Sequence, residues 1–174
     1  MVMPKKALLI IDMLNDFVLP GAPLEVPDTR KIIPNIGREI IKAREEGYSI
    51  VYICDAHAPD DKEFKMWPRH SVKGTKGAQV VDELEPEPKD TVVEKTTYSG
   101  FYNTRLEEVL KSIGAEEIIL TGCVTNICIL YTAYDLVSRG YRVTVPKDCV
   151  AGLNKEDHEF ALRQMERILK VKII

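Results

Sequence analysis

The stretch Thr121-Gly-Cys-Val-Thr-Asn-Ile-Cys128 joins an apolar run, Glu117 to Leu120, to an amphipathic run, Ile129 to Arg139. The first reads as a buried strand and the second as a helix. A cysteine at such a junction meets free backbone N–H groups and the positive end of the helix dipole. Both lower a thiol pKa and favour a nucleophilic thiolate. The same residue type is also among the most buried in proteins, so Cys128 alone fits a structural cysteine equally well. Asp12 and Lys95 widen the question, because each directly follows or ends an apolar run of its own. A thiolate nucleophile, an ammonium beside it and a carboxylate to move protons form a coherent hydrolytic set. The alternative for Asp12 and Lys95 is an ion pair at a sheet edge.

A second group carries metal chemistry. In Asp55-Ala-His57 the two side chains point the same way along an extended chain. His70 follows within the same long polar segment. Two imidazoles and one carboxylate with open positions are a typical set for a catalytic divalent metal. The alternative is a surface loop that holds two of the three histidines in the chain. His158, on a polar stretch of the last helix, is assigned no chemistry. Phe17, Trp67, Tyr98 and Phe101 lie close in sequence to these groups. Such residues usually fill cores, but here they suggest a flat aromatic substrate.

The elements that must position these side chains alternate regularly. Lys6 to Asp12, Tyr48 to Cys54, Thr91 to Lys95, Ile118 to Leu120, Tyr141 to Val145 and Val171 to Ile174 read as strands. They are short and continuously apolar, as strands buried on both faces are. Helices are predicted over Thr29 to Glu46, Thr104 to Ile113, the run after Cys128, and Glu156 to Leu169 with Asn154 as N-cap. Gly47, Gly114 and Gly140 stop the first three. Asn15 to Asp28 is rich in Pro and Gly and reads as a loop. Ala56 to Pro88 is a long segment of weak periodicity, of the kind that is usually functional. The alternation predicts one α/β domain, a three-layer α/β/α arrangement around a mostly parallel, Rossmann-like sheet of about six strands. Ligands of such sheets bind beyond the carboxyl ends of the strands. Asp12, Asp55, Lys95 and the Gly122–Cys128 turn all fall there.

Composition narrows the function further. The chain has 174 residues, 45% hydrophobic, with a net charge of −3 and scattered basic residues. That suits one domain with a full core and argues against nucleic acid as a partner. No apolar run approaches the roughly 20 residues of a membrane span, and Met1 to Lys6 is too short for a signal peptide. The four cysteines show no C-x-x-C spacing and read as reduced thiols of a cytoplasmic protein.

Five segments follow one another in the order found in the isochorismatase-like cysteine hydrolases. They are Ile11-Asp-Met-Leu-Asn-Asp-Phe17, Asp55-Ala-His57, Trp67-Pro-Arg-His-Ser-Val-Lys-Gly-Thr75, Lys95-Thr-Thr-Tyr-Ser-Gly-Phe101 and Thr121 to Cys128. Within that superfamily the chain resembles the nicotinamidases (pyrazinamidases) over nearly its whole length. The resemblance implies a catalytic triad of Asp12, Lys95 and Cys128. It implies one divalent metal per chain, zinc first and iron or manganese next, held by Asp55, His57 and His70 with Glu63 as an additional ligand. It implies a cis Cys123–Val124 peptide, an oxyanion hole formed by the Val124 and Cys128 N–H groups, and a pyridine pocket lined by Phe17, Trp67 and Tyr98. The implied reaction is hydrolysis of nicotinamide to nicotinate and ammonia in pyridine nucleotide salvage, by a homo-oligomer acting on a small-molecule amide. Two departures stand out. Ser71 replaces a cysteine that many relatives have, with no expected loss of function, and Cys123-Val124 occupies a turn where many have Val-Ala. The same resemblance leaves room for a hydrolase of ureido or carbamoyl substrates, and for a non-catalytic binding module. It also touches the isochorismate vinyl-ether hydrolases, which generally lack the cysteine nucleophile.

Overall fold

In the computed structural model, residues 5–174 are described; Met1 to Pro4, part of the stretch read as too short for a signal peptide, lie outside them. The strands are β1 (Lys6–Ile11), β2 (Ser49–Asp55), β3 (Thr91–Lys95), β4 (Glu117–Cys123), β5 (Arg142–Val145), β6 (Val150–Ala151) and β7 (Lys172–Ile173). The helices are α1 (Asn15–Val18), α2 (Thr29–Glu45), α3 (Leu106–Ile113), α4 (Leu130–Ser138) and α5 (Lys155–Arg167). The strands form one sheet in the order β3-β2-β1-β4-β5-β7, with β6 pairing the end of β4. Every strand pair is parallel.

Parallel strands buried on both faces need apolar residues in succession, and β1 supplies them: Ala7 through Ile11 are at most 1% exposed. Alternate residues serve opposite faces. Leu8 and Ile10 pack with Ile32, Ile36 and Ala43 of α2. Ala7, Leu9 and Ile11 pack with α3, α4 and Met165 of α5. The result is the three-layer arrangement. Burying side chains such as Leu9 and Ile10 contributes roughly 1.5–3 kcal/mol each, before the entropy of ordering them is subtracted.

The sheet has seven strands rather than about six. The extra one, β6, is two residues long and too short to leave a periodic signal. Within the segment expected to be a loop, Asn15–Val18 forms a helical turn, α1. The long segment 56–88 carries three short 3₁₀ turns. Asn154 caps α5 as expected, its side chain accepting from the Asp157 N–H. Among the described residues no helix is long and apolar enough to cross a membrane.

Candidate active site

Strand order decides which side chains meet. β3, β2, β1 and β4 are consecutive neighbours, and all run the same way, so their carboxyl ends lie in one row. Lys95 ends β3, Asp55 ends β2, Asp12 follows β1, and the Cys128 turn follows β4. The sheet therefore converts four sequence-distant polar residues into one cluster.

Lys95 sits at its centre. Its Nζ donates to Asp55 Oδ1 at 2.5 Å and to the Thr97 carbonyl at 2.9 Å. It forms an ion pair with Asp12 Oδ2 at 2.8 Å and lies 3.5 Å from Cys128 Sγ. The Lys95 and Asp12 side chains are 0% and 1% exposed, which removes the reading of an ion pair at an open sheet edge. Asp12 Oδ1 accepts the Asp55 N–H at 2.8 Å. The Asp12 backbone has φ +52°, a left-handed conformation that Asp tolerates better than most residues. Burial, with the Asp55 charge nearby, pushes the Asp12 carboxyl up to about 6, against the pull of Lys95. Lys95 is driven well above its ordinary value, because the attraction of Asp12 and Asp55 outweighs burial.

Cys128 departs from the expectation of a lowered thiol pKa. Burial pushes the thiol well above its ordinary range, and Lys95 offsets this only in part against Asp12 and Asp55. The expectation rested on the free N–H groups and dipole of a helix terminus, but Cys128 is buried within a π-helical turn, Thr125–Ile129. Cys128 thus rests as a thiol, and to act as a nucleophile it would need a base; the ammonium of Lys95, 3.5 Å from its sulfur, also pairs with the Asp12 carboxylate. The Cys123–Val124 peptide at the start of this turn is cis. Gly122 precedes it with φ +113°, and a Cβ there would stand 2.0 Å from the Ile11 carbonyl oxygen. The missing side chain lets β4 close against β1, where the Cys123 thiol donates to the Asp12 carbonyl at 3.2 Å.

Beside this cluster, Asp55, His57 and His70 each offer one ligand atom, all within 4.8 Å of one another. Asp55 Oδ2 is 3.5 Å from His57 Nε2 and 3.7 Å from His70 Nε2. The outer ring nitrogens are already engaged, His57 Nδ1 with Asp61 at 3.0 Å and His70 Nδ1 with the Pro68 carbonyl at 2.6 Å. That arrangement, with His57 Nε2 buried and lacking a hydrogen-bond partner, is how metal-ligating histidines are oriented. The donor set therefore fits a divalent cation. A parallel bridge between His57 and Val72 brings the two histidines together. Asp16 of α1 secures the same segment by accepting the Ser71 N–H at 2.8 Å. Glu63 lies outside the three-ligand group but lines the same cavity.

The cavity is small, about 30 Å³, and Phe17, Trp67 and Tyr98 line it with Asp55, His70 and Cys128. Trp67 Nε1 donates to the Tyr98 hydroxyl at 3.1 Å, and Phe17 meets His70 edge-on at 5.5 Å. Phe101 instead packs in the core beneath Arg139. Leu24, Ile127 and Leu153 also line the cavity. They escaped sequence reasoning because they fall in segments with no periodicity or flank Cys128 without polar signal. No Lys or Arg is among the lining residues. His158, assigned no chemistry, is half-buried and its Nδ1 lies 2.7 Å from Thr125 Oγ1 in the Cys128 turn. Neighbouring polar residues in α5 hid it.

Known proteins resemble this chain over nearly its whole length. The pyrazinamidase of Pyrococcus horikoshii, solved in complex with zinc, is 34% identical with a TM-score of 0.93, covering 98% of this chain and 99% of that one. N-carbamoylsarcosine amidase from Thermoplasma acidophilum is 36% identical with a TM-score of 0.88, covering 97% and 95%. A probable inactive nicotinamidase of Arabidopsis thaliana is 33% identical over 93% of this chain and 88% of its own length. The isochorismatase domain model matches residues 6–172, and with the fold and the site in place, the chain belongs to the isochorismatase-like hydrolase family.

Proposed function

We propose that this hydrolase is a metal-dependent cysteine amidohydrolase that converts nicotinamide and water to nicotinate and ammonia, in pyridine nucleotide salvage. The observation that carries the reading is that Asp12, Lys95 and Cys128 adjoin Asp55, His57 and His70 at one small cavity lined by aromatic and aliphatic side chains, without a lining Lys or Arg. A neutral heteroaromatic amide suits that lining. A carboxylate-bearing ureido substrate would find no cationic side chain among the lining residues.

Asp12 takes the Cys128 proton, and Lys95 holds the charge that forms on sulfur. The thiolate attacks the carboxamide carbon. The Val124 and Cys128 N–H groups receive the oxyanion; removing one such donor typically costs about 3 kcal/mol. Asp12 returns its proton to the departing ammonia, leaving a Cys128 thioester. Water, deprotonated by Asp12, then releases nicotinate and the thiol. Asp55, His57 and His70 would hold the divalent metal, zinc being favoured by the two imidazoles. When bound, it would supply a Lewis acid for the ring nitrogen. Phe17, Trp67 and Tyr98 confine the ring, and Glu63 lines the wall near Asp55 and His70.

The test is ammonia release from nicotinamide and from N-carbamoylsarcosine, by metal-loaded and chelated protein, with Cys128→Ala as control. Nicotinamide turnover that vanishes with chelator and in Cys128→Ala is expected. Turnover of the carbamoyl substrate alone would reassign the enzyme. No turnover of any amide by metal-loaded protein would favour the non-catalytic reading.

A further inference from the structure

His158 is the one histidine outside the metal group, and its imidazole touches the catalytic turn from behind. Thr125 is 0% exposed and opens the Thr125–Ile129 turn. Its Oγ1 lies 2.7 Å from His158 Nδ1. His158 stands in the first turns of α5, its backbone N–H bonded to the Asn154 carbonyl at 3.2 Å. The fit against the residue after β6 is close: a Cβ on Gly152 would stand 3.0 Å from His158 Cβ. Burial lowers the pKa of the imidazole, so at neutral pH it is uncharged and Nδ1 can accept the Thr125 hydroxyl proton.

The neighbours of Thr125 explain why the contact matters. The Val124 carbonyl accepts from Ile127 at 3.0 Å and Ile129 at 3.2 Å. On the other side Cys123 is tied to Asp12. Thr125 directly follows Val124, and His158 is the side-chain partner of its hydroxyl. We propose that His158 is a positioning residue for catalysis, accepting the Thr125 hydrogen bond and so holding the Val124 N–H on the developing oxyanion. The inference rests on the oxyanion role given to Val124 in the proposed mechanism. It does not require nicotinamide to be the substrate.

Two reactions of one sulfur separate this role from plain packing. Acylation of Cys128 by p-nitrophenyl acetate passes through an oxyanion. Alkylation by iodoacetamide is a direct displacement and does not. Both are followed by intact mass and peptide mapping. In His158→Leu, acylation should fall about tenfold or more, short of the 10²–10³ that follows outright loss of a donor. Alkylation should stay within about twofold. Thr125→Val should reproduce the effect, and the double variant should be no worse than either single one. His158→Asn, which keeps an acceptor near the Nδ1 position, should recover much of the acylation rate. On nicotinamide the loss should appear in kcat with KM little changed.

If acylation and alkylation fall together, or neither falls, His158 serves packing alone and the proposal is wrong. Should His158→Leu fail to fold, Thr125→Val decides: an unchanged ratio of acylation to alkylation overturns the proposal. Wild-type protein that is acylated by the ester yet inert to nicotinamide would refute the nicotinamidase reading, while the ratio still decides the role of His158. Wild-type protein not acylated at all overturns both.

Discussion

Lys95 meets three demands at once, since its ammonium lies between two buried carboxylates and a thiol. Replacing it by methionine keeps the stem but leaves Asp12 beside Asp55 without the ammonium that bridges them. One must then take a proton, and stabilisation of the thiolate is lost. Lys95→Met should therefore move Cys128 alkylation to higher pH and lower turnover by about 10²-fold or more. Coincident pH profiles for the two proteins would exclude Lys95 from the catalytic site. At His57 the sign of a second prediction can be worked out. Burial pushes its pKa down, but Asp55 and Asp61 outweigh it and hold the imidazole up to about 9 in the metal-free protein. Below that pH a cation must displace a proton to bind. Apparent zinc affinity should rise by up to about tenfold per pH unit and level off near 9. Competition against a chromophoric chelator at pH 6, 7 and 8 measures this, and a flat profile contradicts it. The six residues of the two clusters were legible because each ends an apolar run or belongs to a short motif. The raised Cys128 pKa was not, because burial of the turn depends on α4 and α5, which no local spacing reveals.

Among the elements, the junction of β1 and β4 bears most directly on the site. Gly122→Ala would drive a methyl group into the Ile11 carbonyl at a φ that disfavours any side chain. Since both strands are central, relief requires them to separate where Asp12 and Cys123 meet. The variant should lose about 3 kcal/mol or more in urea unfolding; a midpoint close to wild type would mean that the backbone relaxes without cost. Strand and helix order was readable because period and breakers agree: apolar runs, then amphipathic runs, then Gly47, Gly114 and Gly140. The α1 turn and β6 were not readable. α1 is held by tertiary bonds such as the Asn15 side chain on the Lys76 carbonyl, and β6 exists only because β4 lies beside it.

For the whole molecule, the expected homo-oligomer stays a proposal, to be read by light scattering against a monomer mass of 19.7 kDa. The sheet order has a further consequence, in time rather than space. β1 is central, yet one of its two partners is β4, pairing Lys6 with Glu117 and Ile11 with Gly122. Asp12 and Cys123 touch across 111 residues of sequence. Contacts that distant are slow to form, because long loops must close before pairing repays the lost entropy. β1, β2 and β3 can associate first, but Asp12 and the Cys128 turn meet only after β4 docks. During refolding from urea, recovery of enzymatic activity should therefore lag behind recovery of far-ultraviolet dichroism. Simultaneous recovery would mean that β1 and β4 pair as early as the local helices form. A chain emerging from the ribosome faces the same delay: its first strand waits, one edge open, until more than half of the sequence has been made.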